Sequence, residues 1–189
     1  MASPERSVHV RDAGAMRALA HPTRSRLLGE LRADGPRSVG GLSRVVDEAP
    51  GSVSYHLGVL AEHGFVEEAP ELAPNRRERW FRASHDYTRL EPADVRDDSE
   101  ATASLRALRS TIAHRYAEAF DDYLAREPGL PQEWVDAATG GDELLHLTLE
   151  QMVRLREELH AFARRWAAAS DRDAPGAQGV QLFYRSLRR

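Results

Sequence analysis

Between Ser38 and Arg82 the apolar residues change their spacing twice. Val39, Leu42, Val45 and Val46 recur at helical intervals behind Ser38, a residue suited to an N-cap, which predicts a helix that Pro50 and Gly51 interrupt. Val53, Leu57 and Leu60 then fall at i, i+4 and i+7, so a second helix carries one apolar stripe. At about 100° per residue its opposite face holds Gly51, Ser54, Tyr55, Gly58 and Val59, small, hydroxylated and aromatic side chains where a plain surface helix would carry charge pairs. His63-Gly64 predicts a helix stop, and Phe65-Val66 opens an extended run. Pro70 and Pro74 bracket a loop, after which Asn75-Arg76-Arg77-Glu78-Arg79 leads into a second strand, Trp80-Phe81-Arg82.

Helix, tight turn, helix and an arginine-bearing strand pair, in that order, describe a winged helix-turn-helix. Small and hydroxylated side chains let a helix sit deep in a major groove, and a wing commonly lies along the sugar-phosphate backbone beside it. Ahead of this module, Asp12 to Leu19 and Pro22 to Arg32 read as two helical pieces with Met16, Leu19, Leu27, Leu28 and Leu31 inward.

Three blocks, Leu19-Ala-His-Pro-Thr-Arg-Ser-Arg-Leu-Leu28, Val53-Ser-Tyr-His-Leu57 and His63-Gly-Phe-Val66, resemble the bacterial ArsR repressor family over residues 13 to 90. The resemblance implies a winged helix-turn-helix homodimer that binds double-stranded operator DNA. By position it makes Ser54 and Tyr55 base-edge readers, Ser52 a phosphate contact at the helix start, and Arg76, Arg77 and Arg79 wing contacts. His56 falls at the margin of the buried face, where it packs or bonds within the domain. The chain departs from many relatives in placing Gly58 where they carry a basic residue, and Glu67, Glu68 and Glu71 along the first wing strand. Those carboxylates predict modest phosphate affinity.

Beyond residue 90 the pattern changes. Glu91 to Glu100 is acidic, contains Pro92 and is poor in apolar residues, so it reads as a linker. From Ala101 a broad helical stripe runs through Leu105, Leu108, Ile112, Tyr116 and Phe120 to Leu124, before Pro128-Gly129. Leu105, Leu108, Ile112, Tyr116 and Phe120 pack either against the rest of the same chain or, as expected here, against a twin across a twofold axis, because a palindromic operator demands a dimer. Trp134 to Thr139 and Leu144 to Leu147 read as short strands, Thr148-Leu-Glu-Gln151 as a capping box opening a helix to Ala169, and Gly176 to Leu187 as a final strand. The expected architecture is mainly α with small β (α+β): a winged helix-turn-helix over 1–90, a linker over 91–100, and a dimerisation helix with a small α+β domain over 101–189. Trp134, Met152, Phe162, Trp166, Phe183 and Tyr184 are expected to form that domain's core or to line a pocket for a small organic effector.

Charge refines the picture once it is divided. The net −4 separates into 13 Arg against 12 acidic residues over 1–90, a balance of +1, and 13 Arg against 18 over 91–189, a balance of −5. A near-neutral domain binds DNA if its arginines converge on one face, with low and salt-sensitive non-specific affinity. The chain holds no Cys, so the family's thiolate metal sites are absent, and His114, Glu118 and Asp121 read as a solvated polar stripe. No metal or other cofactor is expected. No Gly-rich phosphate loop or nucleophile elbow is present, which argues against an enzyme. With no apolar run of spanning length and no signal-peptide core, the expectation is a cytoplasmic, nucleoid-associated regulator, a repressor by resemblance, without membrane attachment. The competing class is an effector-binding or protein-interaction module whose winged helix does not read DNA.

Overall fold

The computed structural model describes residues 7–75 and 77–189. The chain divides into two compact units, the first running through Ala119 and the second from Phe120 to Arg189.

In the first unit, α1 (Ala13–Leu19) begins where the Asp12 carboxylate accepts the Ala15 N–H at 2.7 Å, and α2 (Pro22–Ala33) begins with proline in its first turn, where the missing N–H costs nothing. Helix α3 (Val39–Val46) is capped by Ser38, whose hydroxyl accepts the Gly41 N–H at 3.1 Å. Helix α4 (Pro50–Glu62) ends at Gly64, whose φ of 71° reverses the chain so that Phe65 N–H reaches the Leu60 carbonyl. Around these helices, β2 (Arg37–Ser38), β4 (Trp80–Ala83) and β3 (Val66–Glu68) form an antiparallel sheet in that order, with Glu67 opposite Arg82 and Glu68 opposite Phe81. The wing loop between β3 and β4 opens with a 3-10 turn at Pro70–Leu72. Strand β1 (Ser7–His9) pairs in parallel with β5 (Tyr87–Arg89), a pairing the sequence pattern did not announce.

The core gathers Met16, Leu27, Leu28, Leu31, Leu42, Val53, Leu57, Leu60, Phe65 and Phe81 from every element of the helix-turn-helix and its wing. The three residues of the α4 stripe are fully buried, which fixes the rotation of that helix. Val59, expected on the outer face, is half-buried and packs on the core edge.

Two expectations for residues 91–126 are corrected. The acidic segment is no linker: Pro92–Val95 forms a 3-10 turn with Val95 buried, and the Asp98 carboxylate caps α5 (Ser99–Arg126) by accepting the Ala101 N–H at 2.9 Å. The stripe of α5 is not free for a twin along its length. Leu105 and Leu108 are buried in the core of their own unit and Ile112 packs against it. Thr111 donates to the Ala20 carbonyl at 2.8 Å and Arg115 to the Ser25 carbonyl at 2.9 Å, fastening this half of α5 to α1 and α2. Tyr116 is half-buried, its ring under the Arg115 guanidinium, and Phe120, in the second unit, is 54% exposed.

In the second unit, α6 (Gln132–Ala137) replaces the strand expected at Trp134 to Thr139, and α7 (Leu149–Ala169) opens with the capping box formed by Thr148 and Gln151. Leu144 to Leu147 and Gly176 to Leu187 form no strand, so among the described residues this unit is helical and irregular, with no sheet. An alternating pattern becomes a strand only when it pairs with another strand edge, so alternation alone did not make one here. Trp134, Phe162, Trp166, Phe183 and Tyr184 are exposed rather than buried as a core.

Candidate nucleic-acid interface

The turn between α3 and α4 is held by one carboxylate. Asp47 takes a left-handed conformation at φ 56°, and the next residue, Glu48, accepts the Thr23 hydroxyl and the Ser52 hydroxyl, each at 2.6 Å. The Ser43 hydroxyl donates to the Glu48 carbonyl at 2.5 Å and the Glu48 N–H returns to the Ser43 carbonyl. Glu48 thus pins the last turn of α3, the first turn of α2 and the first turn of α4 together. The Ser52 and Thr23 hydroxyls hold its carboxyl below the usual carboxylate range. His56, buried on α4, places Nε2 3.8 Å from that carboxylate, and its ring lies 4.6 Å from the ring of His21. Burial first, then the neighbouring Arg24 and His56, keeps His21 below its ordinary value and therefore neutral at pH 7.

This arrangement relocates one expected site residue. The Ser52 hydroxyl is given to Glu48, so it does not face outward as a phosphate contact. The outer face of α4 instead presents Ser54 and Tyr55, the latter 66% exposed, its ring edge-on to His56 at 5.4 Å. Proline in the first turn leaves the Gly51 and Ser52 N–H groups as the forward-facing donors of the helix start.

The wing supplies the arginines, and acidic neighbours engage two of them. Arg79 donates through Nη1 to the Ser54 hydroxyl oxygen at 2.8 Å and through Nη2 to Glu68, while its guanidinium lies 5.1 Å over the Phe81 ring. Arg82 donates through Nε to Glu67 and through Nη1 to Glu71, both at 2.7 Å, and the Glu67 bond leads in holding its guanidinium above its ordinary value. Arg77 is exposed in the loop, where its N–H caps onto the Asn75 side chain at 2.9 Å. Arg76 lies outside the described residues.

Arg79 is thus bonded to Ser54 on α4, while Tyr55 is exposed on that helix and Arg77 is exposed in the wing loop. Sequence reasoning missed Thr23, Glu48 and His21, and with them the anchor of the turn; the spacing of Glu48, Ser52 and His56, each four apart on and before α4, was the available signal. It also missed the Arg79–Ser54 bond. Among the described residues no group of three or more His, Cys, Asp or Glu could hold a metal ion, and no helix is long and apolar enough to cross a membrane.

Residues 19–69 match the family model of a helix-turn-helix domain, and with β3 and β4 the fold of that segment is a winged helix-turn-helix. Among solved structures, an ArsR family transcriptional regulator is 22% identical, covers 67% of this chain and 91% of its own, and superposes with a TM-score of 0.32. A second transcriptional regulator is 16% identical over 63% of this chain and 79% of its own, also with a TM-score of 0.32. At those scores they add nothing to what the fold itself displays. No curated protein matches the sequence significantly.

Proposed function

We propose that this chain is a sequence-specific DNA-binding transcriptional regulator of the ArsR type, a repressor that reads a palindromic operator as a homodimer. The observation that carries the reading is the outer face of α4: Ser54 and the exposed Tyr55 lie on a helix whose inner stripe is fully buried, with Arg79 of the wing bonded to Ser54. A groove-reading helix needs a rigid seat and an outer face of small polar and planar groups, and α4 has both. The Gly51 and Ser52 N–H groups at the helix start and Arg77 on the loop are the phosphate contacts this geometry supports.

The dimer is supported by apolar surface that the chain leaves uncovered, Phe120 and Leu124 on the distal half of α5 and Phe162 and Trp166 on α7, since exposed apolar clusters mark association surfaces. The same aromatic surface is where a small organic effector would act. The carboxylates on the wing arginines favour one second reading, a winged helix used for protein contacts.

Selection from a random duplex pool at physiological salt separates the two. A DNA-reading dimer enriches an inverted repeat whose half-sites lie about 10 base pairs apart, and Ser54→Ala and Tyr55→Ala each weaken binding to it by about 1–3 kcal/mol while the protein stays folded. A pool that enriches no sequence sinks the proposal and leaves the protein-contact reading.

A further inference from the structure

We infer that Arg79 is a positioning residue that sets the hydrogen-bonding polarity of Ser54, so that Ser54 reads DNA by donating its hydroxyl proton to a base acceptor, with Glu68 holding the guanidinium in place. The inference rests on the DNA-reading assignment above and adds what kind of base edge the helix selects.

A serine hydroxyl is ordinarily ambiguous, able to donate one proton and to accept through its lone pairs. A guanidinium has donors only. With Arg79 Nη1 2.8 Å from Ser54 Oγ, the oxygen is the acceptor of that bond, and its own proton must point elsewhere. The adjacent positive charge strengthens the hydroxyl as a donor and repels the positively polarised amino hydrogens that cytosine N4 and adenine N6 display in the major groove. Guanine N7 and O6, adenine N7 and thymine O4 are the edges that remain favourable.

The guanidinium is held from three sides. Ser54 lies on α4, the Glu68 carboxylate on β3 takes Nη2, and the Phe81 ring on β4 lies beneath the cation at 5.1 Å. Its backbone is fixed as well, because the Arg79 carbonyl accepts the Val39 N–H at 2.9 Å at the start of α3. An arginine waiting for phosphate would extend from the loop into solvent. This one is folded back across the recognition helix, so the wing acts on base reading through Ser54.

The test uses the full-length protein and the duplex selected by wild type, with each operator base pair substituted in turn, and compares wild type, Ser54→Ala, Arg79→Met, Glu68→Gln and the Ser54→Ala/Arg79→Met double variant. Arg79 and Glu68 are both about half exposed, so these variants fold, and a thermal unfolding trace checks it. Arg79→Met is expected to flatten the preference at one base-pair position of each half-site by about tenfold, the worth of one good base contact, with the salt slope on unselected DNA unchanged. Glu68→Gln is expected to flatten the same position in part. In the double variant the loss at that position equals that of Ser54→Ala alone, because both changes remove one reading. The inference is overturned if Arg79→Met weakens all sequences alike and lowers the slope of log affinity against log salt by about 1, the behaviour of a phosphate contact. It is also overturned if the two single losses at that position simply add. A wild type that prefers no sequence overturns the DNA-reading assignment itself, and is told apart from failure of this inference because it is seen before any variant is made.

Discussion

The two units of this chain use the same helical periodicity to opposite ends. In the first, every apolar stripe meets another element, so Leu27, Leu42, Val53, Leu57 and Leu60 are fully buried and even the proximal half of α5 is absorbed into the core. In the second, α7 has a strong apolar stripe and a complete capping box, yet none of its residues is buried and Trp166 is 60% exposed. A helix is thus specified locally, by a cap and a spacing, whereas burial is specified by what the rest of the chain brings opposite it. The position of α4, and with it the outward face that carries Ser54 and Tyr55, is a product of the second kind of specification.

The largest expected effect separates the two halves of α5. Leu108 is 1% exposed, and Leu108→Glu places a carboxylate among apolar side chains with no partner, which costs several kcal/mol and unfolds the first unit; denaturant titration of the full chain with loss of near-UV signal records it. Phe120→Glu, on the same helix, leaves that transition within about 0.5 kcal/mol of wild type, because an exposed position has no core to break. Sedimentation of Phe120→Glu then tests the proposed dimer separately from folding. If Phe120→Glu unfolds the first unit as Leu108→Glu does, the contrast between the units is wrong.

What could be read in the sequence follows the same division. The α3 and α4 stripes, the Ser38 cap, the Gly64 reversal and the capping box of α7 were legible because each is a pattern within a few residues. The β1–β5 pairing was not, since Ser7–His9 is too short to show alternation and its partner lies about eighty residues on. Trp134 to Thr139 read as a strand from its aromatic and β-branched residues, yet Pro131 sits at the N-cap of a helical turn there, and a short apolar run does not distinguish the two by itself. Charge-rich segments misled in the other direction: Glu91 to Glu100 looks solvated, but one valine, Val95, and one capping carboxylate, Asp98, suffice to build it into the first unit. At the site, the exposure of Tyr55 opposite the buried stripe followed from the spacing and the bond from Arg79 to Ser54 did not, because residues 25 apart meet only through the wing's return.

A smaller effect concerns the Glu48 anchor, which belongs to the first unit alone. Its folded pKa lies below the ordinary 4.5, so its contribution is present above that value and is lost as the pH falls through the depressed one. His21, held neutral below its ordinary 6.5, acts earlier and with the same sign: the unfolded chain takes up the proton first, and stability declines as the pH drops below 6.5. Wild type is therefore expected to weaken toward acid in two stages. Glu48→Gln costs about 1–2 kcal/mol at pH 7, the worth of hydrogen bonds to a charged acceptor, and removes the lower stage while leaving the upper. Chemical denaturation between pH 7 and pH 3 tests this, and a Glu48→Gln difference that persists undiminished at the acid end would mean that the carboxylate's charge is not what holds the turn.

The smallest expected effect is one on which the two units should agree. Gly58 lies within α4 and a Cβ added there meets nothing within 4 Å, so Gly58→Ala gains only the backbone term, about 0.5–1 kcal/mol of stability. Ala161, exposed in the middle of α7, is the mirror case: Ala161→Gly costs a similar about 0.5–1 kcal/mol of local helix stability, read as lost helical circular dichroism on gentle warming. Equal and opposite effects follow because helix propensity is a property of the backbone and is indifferent to whether a stripe is covered. Gly58 also separates folding from reading. With α4 in a groove as proposed, the new methyl group would meet DNA although it meets no protein atom within 4 Å, so Gly58→Ala is expected to stabilise the fold while weakening operator binding. A variant that gains stability and binds the selected duplex as wild type does would place Gly58 away from the groove and rotate the reading face of α4 toward Ser54 and Tyr55 alone.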